Sequence, residues 1–160
     1  YEAATSGFEH TAIERFVAND ELQVAGTPDR ISSHAETMKF GRDEDGFVVY
    51  LHAPALRITD LKTGGHANYL GKYAVQLAIY SRSQFYDPAT GERTPIGDVD
   101  QDWGIVFHMP AGEGRCDLYA LDLNAGWEAA LLAAEVRKHR KKKGLAVRQN
   151  LAANAEKEAA

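Results

Sequence analysis

Asp60 and Lys62 close a short apolar run, LRITDLKTGG over residues 56–65. Side chains alternate faces along a strand, so the acid and the base share one face and Leu61 takes the other. A carboxylate beside an ammonium is a poor core element. It suits a divalent cation held next to a phosphate, because the acid binds the ion and the lysine faces the anion. Alone, Asp-x-Lys also describes a rim salt bridge. A second acid, Asp29, follows a Gly-Thr-Pro step at 26–28. Taken alone it reads as a turn carboxylate or a partner for Arg30. Lys72, Gln76 and Tyr80 are spaced four apart and form one polar row on a helix.

These residues need elements to position them. Thr11 to Val17 reads as a first strand and Leu22 to Ile31 as a second, joined at the Asn19-Asp20 turn into a hairpin. Gly26 and Pro28 mark a bulge, an edge or a close backbone approach within it. Residues 32–46 read as a loop or ragged hairpin with a turn at Asp45-Gly46. Phe47 to Leu51 and Ala55 to Lys62 read as strands three and four, in an antiparallel meander favoured by the short connections. The period then changes: Leu70, Tyr73, Ala74, Leu77 and Ala78 give Tyr69 to Gln84 an apolar helical stripe. A loop over 87–102 leads to a hairpin of Trp103–Met109 with Cys116–Leu123. Asn124 is the expected cap of a final helix reaching about Lys143 and stopped by Gly144, its basic end suiting the helix dipole. Residues 145–160 form an Ala-rich tail.

The 160-residue length suits a single domain over 1–160, with a core of about 11–143. A net charge of −5 means that any nucleic-acid contact must come from a local basic patch. The one dense run includes Arg140, Lys141 and Lys142, which reads as a solvated helix end or as phosphate contacts. One cysteine, Cys116, excludes an internal disulfide and a four-cysteine metal site. No apolar run is long enough to span a membrane, and a reducing, cytoplasmic setting is expected. The first residue is Tyr, so an upstream segment is also expected.

In order, Gly26-Thr27-Pro28-Asp29-Arg30-Ile31, then Ile58-Thr59-Asp60-Leu61-Lys62-Thr63-Gly64, then Gln76-Leu77-Ala78-Ile79-Tyr80 resemble the PD-(D/E)XK nuclease superfamily. The Gln-x-x-x-Tyr segment resembles its RecB-like exonuclease branch. The resemblance spans about residues 11–123. It implies an α/β fold, a central mixed β-sheet flanked by helices with a restriction-endonuclease-like core. It implies Mg²⁺ or Mn²⁺ held by Asp29, Asp60 and the Leu61 carbonyl, with Glu14 as a further acid or a plain surface acid. Lys62 would orient the attacking water or stabilise charge on the phosphate. Gln76 and Tyr80 would touch the DNA strand or the metal's outer shell. The implied activity is metal-dependent hydrolysis of DNA, mostly exonucleolytic, in recombination, repair or viral DNA processing. The implied partners are DNA and a helicase, a recombinase or a second copy. The alternatives are a catalytically silent DNA-binding module on the same fold and an unrelated interaction domain. The branch also carries a helix with a histidine before the first strand; His10 is the nearest histidine, out of the expected place.

Overall fold

The computed structural model describes residues 5–42, 46, 48–64 and 69–144. The chain is a mixed α/β fold. Its centre is a five-stranded sheet, order β1-β4-β7-β10-β11, made of Phe8–Ile13, Arg30–His34, Arg57–Lys62, Trp103–His108 and Asp117–Asp122. The β7–β10 pair is parallel, and every other neighbouring pair is antiparallel. Helices α1 (Leu70–Ser81) and α2 (Leu123–Arg140) pack on one face. There Ile31, Ile58, Val106 and Leu121 of the sheet meet Leu77, Ala78 and Leu123. The helices approach closely: a methyl group on Gly126 would stand 2.4 Å from the Ala74 carbonyl oxygen. The opposite face is covered by a separate hairpin, β5 (Met38–Arg42) with β6 (Val48–Leu51), which buries Leu51 against Ile105 and Phe107. The two helices among the described residues therefore flank one side of the sheet.

The first expected hairpin is real but broken twice. Its outer halves pair as β1–β4 in the central sheet, ending at Ile13↔Arg30. Its inner halves, β2 (Val17–Asn19) and β3 (Val24–Gly26), pair in a second sheet, order β3-β2-β8-β9. That sheet is completed by β8 (Gln84–Tyr86) and β9 (Arg93–Pro95), inside segments expected as helix end and loop. The two breaks face each other across one hydrogen bond, in which the Glu14 N–H donates to the Asp29 carbonyl at 3.0 Å. Glu14 has φ +46°, a left-handed conformation uncommon for a non-glycine residue.

Several boundaries are corrected. Thr11–Val17 and Leu22–Ile31 are each two strands, and Asp29 lies in the break before β4, outside strand alternation. The expected meander of strands three and four is absent: β6 leaves the central sheet, and β7 pairs with β4 and β10. Asn124 is not the cap of α2. The Asp122 carboxylate accepts from the Asn124 and Ala125 N–H groups, at 2.9 and 3.0 Å. Asp45, Phe47, His66 and the 145–160 tail lie outside the described residues.

Candidate active site

Strand β7 runs beneath α1, and alternation turns Ile58, Asp60 and Lys62 toward the helix side. Asp60 is 2% exposed. Its Oδ2 is ion-paired with the Lys62 amine. Burial pushes the Asp60 carboxyl above its ordinary range. The charge of nearby Asp29 adds to this, and Lys62 pulls against it. Asp29 reaches the same place from the other strand: its Oδ2 accepts the Leu61 N–H at 2.7 Å. The two carboxylates thus converge on one segment of β7, although their residues stand far apart in sequence.

Both acids line a cleft of about 340 Å³ together with Ile13, Glu14, Arg30, Thr59, Leu61, Thr63 and Phe107. Glu14 arrives there because the β1 strand breaks at its left-handed φ. Uncommon backbone conformations of this kind cluster at functional sites. The sheet register holds the other wall: β10 pairs Val106 with Asp60 and His108 with Lys62. The buried His108 donates from Nε2 to the Gly64 carbonyl at 2.8 Å, tying down the chain just past the lysine.

Lys62, ion-paired with Asp60 of this cleft, lines a second one. With Val24, Ala25, Lys72, Tyr73, Val75, Gln76, Ile79 and Tyr80 it lines a groove of about 610 Å³ between β3 and α1. Its amine lies 5.0 Å from the centre of the Tyr73 ring. Gln76 Nε2 donates to the Tyr80 hydroxyl at 3.1 Å. Tyr80 lies against Gly26, where an added methyl would come within 2.7 Å of its oxygen. Gly26 is therefore glycine to admit Tyr80, and the Gly-x-x-Asp and Gln-x-x-x-Tyr segments are in contact.

The structure brings together Asp29, Asp60, Leu61 and Glu14 around the cleft, and Lys62, Lys72, Gln76 and Tyr80 around the groove, with Lys62 paired to Asp60. It does not bring Arg140, Lys141 or Lys142 to either. Lys141 instead borders a third depression with Glu21, Leu22 and Gln23 of the β2–β3 turn. His10 sits on β1 and is exposed, bonded through Nδ1 to Ser32 Oγ at 2.7 Å, and it lines neither site. Partial burial and the Arg30 charge lower its pKa. Sequence reasoning missed Tyr73 as a neighbour of the lysine, since a helical aromatic reads as core. It also missed Thr59 and Phe107, which carry no local signal.

The donor set can be tested for a divalent ion. Two carboxylates meet at a cleft, and the buried one is paired with the Lys62 amine. All the oxygens are hard ligands of the kind Mg²⁺ and Mn²⁺ take. Among the described residues no three His, Cys, Asp or Glu side chains form a full cage. That suits an ion that keeps several waters and takes only one or two carboxylates from the protein. The residues fit such an ion. Neither a protein-family model nor a curated protein matches the chain.

Proposed function

We propose that the chain is a metal-dependent nuclease of the PD-(D/E)XK type, hydrolysing phosphodiester bonds in DNA, on a restriction-endonuclease-like core. The observation that carries this reading is the burial of Asp60 beside Asp29. Two adjacent carboxylates, one of them almost dry, cost stability unless a cation joins them. Asp29, Asp60 and the Leu61 carbonyl are the proposed holders of Mg²⁺ or Mn²⁺, with Glu14 on the wall of the same cleft as a further acid. When bound, the ion supplies Lewis-acid polarisation of the phosphate and a more acidic water.

The chain's own residues do the rest. Lys62 stands between cleft and groove, where its ammonium faces charge that develops on the phosphate. Its ion pair with Asp60 keeps it beside the same carboxylate. Lys72, Gln76 and Tyr80 line the groove that the DNA strand follows from the lysine. Arg140, Lys141 and Lys142 are assigned only a long-range, salt-dependent attraction. The ion pair by itself also favours a silent DNA-binding module.

Incubation of purified protein with end-labelled linear and circular DNA separates the two. The nuclease cleaves with magnesium or manganese and stops with a chelator. Binding without cleavage under every metal condition identifies the silent module.

A further inference from the structure

We infer that the surface beside Glu14 is a stacking platform for unpaired bases, and that the substrate at the cleft is single-stranded or end-frayed DNA. The inference rests on the nuclease reading and names its substrate. Ile13 lines the acidic cleft beside Glu14 and is 57% exposed; Phe16, two residues past Glu14, is 37% exposed. Past the break, Arg15 and Phe16 join Phe85, Tyr86, Asp87, Pro88, Glu92 and Thr94 around a further depression of about 400 Å³. The Arg15 guanidinium lies 3.6 Å over the Phe85 ring. Phe16 and Tyr86 lie ring to ring at 5.8 Å, and the Tyr86 N–H donates to the Phe16 carbonyl at 3.0 Å.

The chemistry of this patch selects bases over phosphates. Arg15 is held by a ring and not by an acid, so its outer face stays available to stack a base and its N–H groups to meet a phosphate. Arg93 also lies over a ring, 4.4 Å from the Tyr86 centroid, but it is committed to Asp20 through two 2.9 Å bonds. Asp87 and Glu92 on the far rim repel a phosphate backbone. That leaves the backbone to pass along Arg15 and the bases to stack on the exposed Phe16 ring and the outer face of the Arg15 guanidinium. A duplex hides its base faces and gains little from such a surface. A strand with free bases gains stacking, which is sequence-tolerant.

The test is fluorescence anisotropy of labelled oligothymidylate and of a blunt duplex of matching length, with a chelator present to prevent cleavage. The wild type binds the single strand about tenfold more tightly than the duplex, and Phe16→Ala and Arg15→Ala each remove most of that preference. Arg15→Lys keeps the charge and loses the planar stack, so it behaves like Arg15→Ala. All three variants keep metal-dependent hydrolysis of a small chromogenic phosphodiester, which has no run of bases to stack. Equal affinity for both DNAs, or wild-type affinity in Arg15→Lys and Phe16→Ala, overturns the platform while hydrolysis of the small ester still upholds the nuclease. Loss of that hydrolysis in the wild type overturns the nuclease and leaves the anisotropy result to stand on its own.

Discussion

At the scale of the residue, Asp60 is the unusual group. Its carboxyl is raised chiefly by burial, so between the ordinary value of 3.8 and the folded value the folded state holds more protons than the unfolded. Stability therefore falls as pH rises through that window, and the penalty is complete above the folded value. Asp60→Asn removes the charge. It is expected to raise the melting temperature at neutral pH by about 3 °C and to lose that advantage below pH 3.8. A thermal scan across pH checks this; a variant less stable than wild type at neutral pH refutes it. The same variant and Lys62→Ala lose cleavage by about a thousandfold or more with circular dichroism unchanged. Tyr73 belongs at this scale too. Tyr73→Leu removes the ring beside the Lys62 amine and lowers kcat about fivefold, and Tyr73→Phe keeps the ring and the rate. Equal kcat in the two variants would show that the ring does nothing for the lysine.

At the scale of the element, the site depends on one long hairpin breaking at Glu14 and at Thr27–Asp29. The motif residues were legible because their chemistry is carried by residue type and spacing: Asp60 and Lys62 two apart on a strand, Gln76 and Tyr80 one helical turn apart. The breaks were not legible. A left-handed Glu14 leaves no compositional mark, whereas Gly26 and Pro28 signalled only that something approached. That something is Tyr80. Gly26→Ala is expected to cost about 1–3 kcal/mol and to depress cleavage, because the new methyl displaces the Tyr80 ring. The cost shrinks in a Tyr80→Ala background, and a denaturation double-mutant cycle measures the difference. Additive costs would mean that the two motifs do not touch. The β10–β11 hairpin was readable because both strands are continuous and the turn is local. The parallel β7–β10 pairing and the departure of β6 were not, since partner choice between distant strands is decided by which faces the helices cover.

At the scale of the whole molecule, helices on one side and the β5–β6 hairpin on the other hold β7 at the centre, with its far end open to both cleft and groove. Tight packing of α1 on α2 keeps the groove walls fixed. Gly126→Ala, which meets Ala74 backbone at 2.4 Å, should cost about 3 kcal/mol or more. No helix among the described residues is long and apolar enough to cross a membrane. The basic end of α2 lies away from the site, so neutralising Arg140, Lys141 and Lys142 together flattens the salt dependence of DNA binding by a slope of about two while leaving kcat intact. A fall in kcat would place that end at the reacting phosphate. The convergence of Asp29 and Asp60 on one divalent ion is what every other assignment depends on. Calorimetric titration of Mn²⁺ into the wild type, Asp29→Asn and Asp60→Asn addresses it directly. A single saturable site in the wild type that is lost in both variants is the expected result; manganese binding that survives unchanged in either variant contradicts the account.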